Sequence, residues 1–258
     1  MRGLYLAMPK KFRADQLVFE QGLAPSREQA KRLIMAGRVL AGNAAAPVRV
    51  SKPGHPYPAG TRFALVEAEP YVSRGAYKLL TLLGHFRLDV SGFVCLDAGA
   101  STGGFTDCLL QHGAARVYAV DVGERQLHER LRADRRVISL EGVNLRHAAS
   151  SLIPEQVDLV VADVSFISLT LVLPPCMQWL RADGRAAVLI KPQFELGPGH
   201  AVKGVVRDDE ARQRAVEKIV RFCGDTLGLA CQGVVPAAIR GARGNQEYMA
   251  LFTRARVS

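Results

Sequence analysis

Asp97-Ala-Gly-Ala-Ser-Thr-Gly-Gly-Phe105 is the stretch on which the reading of this chain turns. An apolar run, Phe93–Asp97, precedes it and predicts a strand, and a helix is predicted from Gly104 to Gly113. Glycines between a strand and a helix let the backbone turn tightly and let a ligand approach the helix N-terminus. Asp121 closes the next predicted strand, 17 residues beyond Gly104, where a carboxylate grips the ribose hydroxyls of an adenosine-type cofactor. A dinucleotide turn would read G-x-G-x-x-G, but the glycines here read G-x-x-x-G-G, with Asp97 ahead of them. That carboxylate would repel a pyrophosphate, yet could face the ammonium and sulfonium end of S-adenosylmethionine. No Gly-Lys-Ser/Thr follows, so the stretch is not a P-loop. S-adenosylmethionine is the expected cofactor, with a dinucleotide or a glycine turn that binds nothing as the alternatives.

Outward from this turn, strands and helices alternate. Strands are predicted at Arg116–Asp121, Val137–Leu140, Val157–Asp163 and Ala186–Lys191, with helices at Glu124–Ala133 and Asp208–Leu227. Two further strands, Ala230–Pro236 and Tyr248–Arg254, should form an antiparallel hairpin around Arg243–Asn245. This spacing predicts an α/β fold with a doubly wound sheet, helices on both faces. Glu67–Tyr71, with Pro70, reads as a linker, which assigns residues 1–66 to a first domain, 67–72 to the linker and 73–258 to the second.

The first domain is small. Ala14–Gln21 and Ser26–Ala36 read as helices closed by Gly22 and Gly37, with Ser26 as N-cap and Gln29 completing a capping box. Ala30, Leu33 and Ile34 mark a buried face, and Arg27 and Lys31 share an exposed stripe. Val39–Ala41, a Gly42–Asn43 turn, Val48–Val50 and Arg62–Val66 complete it. Residues 1–66 carry 11 Lys/Arg against 3 Asp/Glu, whereas the remaining 192 carry 23 against 21. A basic front on a nearly neutral body predicts a docking surface for a polyanion, nucleic acid above all.

The chemistry is expected at the carboxyl rim of the sheet. Asp163 and Lys191 end strands there, Lys78 follows Ser73-Arg-Gly-Ala-Tyr77 on a helix entering the domain, and Glu247 opens the last strand. A ribose 2′-hydroxyl needs a base, and a lysine serves when burial and a neighbouring cation lower its pKa. Each charge also has a plainer reading as a rim ion pair, with Asp163 capping the segment after it. The six histidines fall in no triad or metal spacing. The five cysteines form no CxxC pair, which predicts reduced thiols and no metal. Pro175-Cys176 lies too far past Asp163 to attack a pyrimidine ring and reads as structural. No apolar run is long enough for a membrane span, and a cytoplasmic protein is expected.

The quoted motifs resemble the TlyA/hemolysin-A family of rRNA ribose 2′-O-methyltransferases. Arg13-Ala-Asp-Gln-Leu17, Gly22-Leu-Ala-Pro-Ser-Arg27, Ala30-Lys-Arg-Leu-Ile34 and Gly37-Arg-Val39 are similar to the small S-four RNA-binding domain. Ser73-Arg-Gly-Ala-Tyr-Lys-Leu79, the glycine turn through Asp107, Tyr118-Ala-Val-Asp-Val-Gly123, Asp163-Val-Ser-Phe-Ile-Ser168, Leu189-Ile-Lys-Pro-Gln-Phe-Glu195 and Gly244-Asn-Gln-Glu247 resemble the FtsJ-type, Rossmann-like class I methyltransferase fold. The resemblance implies a tetrad of Lys78, Asp163, Lys191 and Glu247, with Lys191 as base. It implies cofactor contacts from Asp97, Gly99, Ser101, Thr102, Gly103, Gly104, Phe105, Asp121, Glu141 and Asn144. RNA contacts are expected from Arg13, Ser26, Arg27, Lys31, Arg32, Arg38 and Arg74. The implied substrate is a cytidine 2′-hydroxyl in rRNA of a ribosomal subunit, met by a monomer. A non-catalytic RNA-binding or assembly protein, and a membrane-active hemolysin, are the alternatives.

Overall fold

Capped helices and short β pairs build the first of two units, Met1–Pro70 and Tyr71–Ser258, into which the chain divides. The computed structural model describes residues 10–42, 46–66, 69–197, 199–201 and 203–254. Asn43 of the expected turn and residues 67–68 of the expected linker lie outside them.

The first unit runs β1 (Lys11–Arg13), α1 (Ala14–Glu20), α2 (Arg27–Met35), β2 (Val39–Ala41), β3 (Val48–Arg49), β4 (Pro56–Pro58) and β5 (Phe63–Leu65). The Ser26 Oγ accepts the Gln29 N–H at 3.1 Å and starts α2. Ala30, Leu33 and Ile34 do form its buried face, packed on Leu17, Val18 and Val39. β2 is flanked by β3 and β5, both antiparallel to it. The pairing of β1 with β4, Lys11 opposite Pro58, was not expected from sequence. Pro56-Tyr-Pro58 hides a strand because prolines are tolerated in a two-stranded pair only where their missing N–H faces outward.

The second unit continues with α3 (Ala76–Phe86), β6 (Val94–Ala98), α4 (Gly104–Gln111), β7 (Arg116–Asp121), α5 (Glu129–Arg132) and β8 (Val137–Glu141). It goes on through β9 (Val157–Ala162), α6 (Leu169–Cys176), β10 (Leu180–Ile190), α7 (Pro192–Glu195), α8 (Asp209–Leu227), β11 (Leu229–Pro236) and β12 (Tyr248–Arg254). Its seven-stranded sheet has the order β11-β12-β10-β9-β6-β7-β8. Five strands are parallel, and β12 inserts antiparallel between β10 and β11. Apolar residues pack on both faces. Leu79, Leu82 and Leu109 of α3 and α4 cover one, while Leu169, Leu173 and Trp179 cover the other. Parallel strands buried on both sides read as continuous apolar runs, as in residues 159–162 of β9.

One helix was overread. Of Glu124–Ala133 only Glu129–Arg132 is α-helical, because the Gln126 and Leu127 N–H groups donate to the Glu141 carboxylate at 2.7 and 2.9 Å instead. Among the described residues no helix is long and apolar enough to cross a membrane.

Candidate active site

The strand order reverses at β6, with β7 and β8 laid down on one side and β9 on the other, all parallel, and the glycine turn after β6 sits at that switch point. Gly99 has φ +83, and a Cβ on it would lie 2.9 Å from the Asp163 carbonyl oxygen, so no side chain fits. Gly103 at φ +94 caps α4, with Leu127 and Leu131 filling the place of its side chain. Asp121 fixes the turn from β7: its Oδ2 accepts the Ser101 N–H at 2.9 Å and its Oδ1 the Gly123 N–H at 2.8 Å.

Two adjoining cavities open on this turn. The larger, about 330 Å³, is lined by Asp121, Val122, Asn144, Arg146 and Phe166 among others. The smaller, about 160 Å³, is lined by Ser73, Asp97, Thr102, Phe105 and Lys191. Gly99, Ser101, Asp163 and Ser165 line both. An elongated pocket, mostly apolar at one end and polar at the other, suits a nucleoside with a charged tail. Asp97 is wholly buried at the polar end. Its Oδ2 accepts from the Thr106 hydroxyl at 2.7 Å, while Oδ1 has no hydrogen-bond partner among the described residues. Burial, with Asp163 and Asp121 nearby, pushes its pKa up to about 7 against the opposing Thr106 bond. An orphaned buried carboxylate oxygen fits a cationic group such as the ammonium of S-adenosylmethionine.

Of the expected cofactor residues, Asp97, Gly99, Ser101, Thr102, Gly104, Phe105, Asp121 and Asn144 line the cavities. Gly103 and Glu141 do not. Glu141 is committed to the bend at Gln126 and Leu127. The Leu127 N–H leads in holding its carboxyl below the ordinary glutamate value.

The four candidate catalytic residues form two ion pairs. Lys191 Nζ lies 2.6 Å from Asp163 Oδ1 and donates to the Ser165 Oγ at 2.8 Å. Lys78 Nζ lies 2.6 Å from Glu247 Oε2. Lys191, Lys78 and Glu247 are buried, and Lys191 and Asp163 line the smaller cavity. Gly75, at the N-cap of α3, brings the pairs close: a Cβ there would stand 3.9 Å from Asp163 Oδ2, and Lys78 follows three residues on. Asp163 does not cap the segment after it, since α6 starts on Ser168, whose hydroxyl the buried Glu195 accepts at 2.5 Å. Cys176 is buried and its thiol donates to the Val172 carbonyl at 3.1 Å, with burial pushing its pKa up to about 12.

Four neighbours escaped the sequence reading. Ser165 holds Lys191. Gln193 Nε2 donates to Glu247 Oε1 at 3.0 Å. Gly241 lies so close to the Glu247 carboxylate that a Cβ would run into it. Phe166, with φ +64, is 91% exposed, and its ring centroid is 5.1 Å from that of Phe194. Phe166 was legible only as one of several apolar residues in its motif, and nothing in the pattern shows that its ring faces out.

In the first unit, Arg13 and Arg27 converge on the fully buried Asp15, Arg13 through two 3.0 Å bonds and Arg27 at 3.3 Å. Lys31 pairs with Glu28 at 2.9 Å, and Arg38 Nε donates to the Val66 carbonyl at 3.3 Å. Arg32 is exposed on α2, and in the second unit Arg74 is exposed beside Ser73 and Gly75 of the smaller cavity.

This strand order, with a glycine turn after its first strand and an acidic end to its second, defines a Rossmann-like methyltransferase fold. Residues 71–254 match the FtsJ-like methyltransferase family, and residues 12–43 match the S4 domain. Over 93% of its length the chain is 43% identical to the 16S/23S rRNA (cytidine-2′-O)-methyltransferase TlyA of Mycobacterium tuberculosis, covering 89% of that protein. It is 38% identical to Hemolysin A of Brachyspira hyodysenteriae, over 93% of this chain and 99% of that one. A solved structure from Streptococcus thermophilus, titled a hemolysin, superposes with a TM-score of 0.71 at 42% identity, covering 96% of this chain and 90% of the other. The chain belongs to the FtsJ-like methyltransferases, within the TlyA/hemolysin-A family.

Proposed function

We propose that the chain is an S-adenosylmethionine-dependent rRNA methyltransferase that modifies the 2′-hydroxyl of a cytidine ribose in a ribosomal subunit. The observation that carries this reading is the placement of Lys191. It is buried, fixed between Asp163 and Ser165, and set on the wall of the cavity that also holds Asp97. The names of the 43% identical relative and of the S4 domain supply the substrate class. The protein acts as a monomer in the cytoplasm, where its large partner is found.

Asp97 and the glycine turn would hold the methionine end of the cofactor, and Asp121 and Asn144 its adenosine. When bound, S-adenosylmethionine supplies an electrophilic methyl group. Lys191 would orient the ribose 2′-hydroxyl and, acting as the neutral amine, accept its proton as that oxygen takes up the methyl group. Asp163 and Ser165 keep its Nζ aimed, while Lys78 and Glu247 steady the neighbouring ribose oxygens. The exposed Phe166 ring beside this wall offers a face on which a base drawn out of its stack can rest.

The test is methyl transfer from labelled S-adenosylmethionine to purified small and large ribosomal subunits lacking the modification, with Lys191→Ala in parallel. Label in RNA from the wild type and none from the variant supports the reading. Full transfer by a variant that binds cofactor normally sinks it. Absence of label from both, with RNA and cofactor bound, favours a non-catalytic RNA-binding protein.

A further inference from the structure

The loop that leads into β12 carries cations that pair with no carboxylate among the described residues. Arg240 and Arg243 lie in it, Lys203 and Arg207 lie in the segment before α8, and all four are exposed. Asn245, only 3% exposed, ties the two segments together. Its Oδ1 accepts the Val206 N–H at 3.0 Å and its Nδ2 donates to the Gly204 carbonyl at 2.8 Å. Arg243 Nη1 donates to the Lys203 carbonyl at 3.3 Å, and Arg240 Nη1 to the Gly244 carbonyl at 3.2 Å. Gly204 leaves no room for a side chain on that side, where a Cβ would stand 2.7 Å from Arg243 Nη1. Lys203 and Arg243 both hold left-handed backbone, φ +51 and +56, a conformation that costs a residue with a side chain about 1–2 kcal/mol. Such strain persists where surrounding structure enforces it, and it gathers at binding sites.

The acidic residues nearby are engaged elsewhere. Asp208 caps α8 through the Glu210 and Ala211 N–H groups. Asp209 pairs with Arg212 at 2.8 Å, and Glu210 with Arg214 at 3.8 Å. Lys203, Arg207, Arg240 and Arg243 form no ion pair with a carboxylate among the described residues. Their position matters as much as their charge. Gly241, next to Arg240, lies against the Glu247 carboxylate, which pairs with Lys78. A fixed cationic rim therefore borders the candidate catalytic residues within the same unit.

We infer that these two cross-tied loops bind phosphates of single-stranded RNA flanking the ribose to be methylated. The inference rests on the RNA-methyltransferase reading and assigns it a contact surface in the second unit, apart from the S4 domain. A ribose can reach Lys191 only when its nucleotide leaves the stack, which draws the adjoining phosphates across the rim of the pocket. Guanidinium groups whose backbone is already fixed suit phosphate oxygens, and they supply affinity and register rather than sequence information.

The test uses the full chain carrying Lys203→Ala, Arg240→Ala and Arg243→Ala together. Binding to an unmethylated rRNA fragment is followed by fluorescence anisotropy across a salt series. Each phosphate contact on a single strand contributes a slope of about 0.7 in log affinity against log salt, so the slope should fall by about 2. In methyl transfer, KM for RNA should rise at least about tenfold while kcat and cofactor affinity stay within about twofold. An unchanged slope and KM overturn the proposal. So does a fall in kcat alone, which would make the loop a support for Glu247, or a loss confined to assembled particles with naked RNA bound normally, which would point to a protein partner. Should the triple variant misfold, Lys203→Gln and Arg243→Gln singly, each expected to lower the slope by about 0.7, decide the matter. A wild type that transfers no methyl group defeats the functional reading, while the salt slope still judges the rim.

Discussion

Lys191 and Asp163 meet at 2.6 Å because they leave adjacent parallel strands at the same rim. The register sets Val188 of β10 opposite Ala162 of β9, so Asp163 is the first residue past its strand and Lys191 the first past its own. Lys191→Ala removes the proposed base. It should lower kcat by about 10²–10⁴-fold while leaving the cofactor Kd within about twofold. Single-turnover methyl transfer with calorimetry of cofactor binding checks both, and near-normal kcat would return Lys191 to a structural role.

Glu247 is held from three sides, by Lys78, by the Gln193 amide and by the close approach of Gly241. Gln193→Ala leaves the ion pair but frees the carboxylate to rotate, with an expected fall of about tenfold in kcat and little change in melting temperature. Gly241→Ala forces a Cβ into the carboxylate and should cost more in kcat than Gln193→Ala. Equal activity of the Gly241 variant and the wild type would show that Glu247 needs no fixed position.

Asp97 offers a pH signature. Its folded pKa, raised to about 7 by burial, lies above the ordinary carboxylate value near 4. Between those two values the folded protein keeps a proton that the unfolded chain has lost, so this group's contribution to stability falls as pH rises through that window. A cofactor ammonium favours the ionised form and would release that proton. Affinity for S-adenosylmethionine should therefore rise from pH 5.5 toward 7 and then level off. Asp97→Asn should bind more weakly and lose the slope. An identical slope in that variant would remove Asp97 from the cofactor site.

Asp15 organises the first unit. Burial pushes its pKa upward, but hydrogen bonds and charge from Arg13 and Arg27 outweigh that and hold it below the ordinary value. Its contribution is present above the unfolded pKa and is lost as pH falls through the folded one. Asp15→Asn should destabilise this unit by about 2 kcal/mol near neutral pH and by less under acid conditions. It should also weaken RNA binding by releasing both arginines. Denaturation followed at two pH values separates these outcomes, and an equal loss at both would place the effect in packing.

Phe166 keeps an exposed ring on strained backbone beside the pocket. Phe166→Ala should raise KM for RNA or lower kcat by about 10-fold or more, since base–aromatic stacking contributes about 1–3 kcal/mol. Stability should hold or improve. A fall in melting temperature with normal kinetics would make the ring a packing element.

The sequence by itself determined the alternation of strands and helices, the glycine turn with Asp97 before it, and Asp121 after the next strand. These are local signals, set by side-chain period and by backbone conformations open only to glycine. It also placed Asp163 and Lys191 at strand ends, hence at one rim. Tertiary structure alone decided the rest. The bend at Gln126–Leu127 replaced a predicted helix because Glu141, from another strand, offered those N–H groups a better acceptor. The β1–β4 pair, the clasp of Gln193 and Gly241 on Glu247, and the cross-tie of Asn245 to Gly204 all join residues distant in the chain. Such contacts exist only once packing has fixed two separate segments, and neither segment's own periodicity records the other.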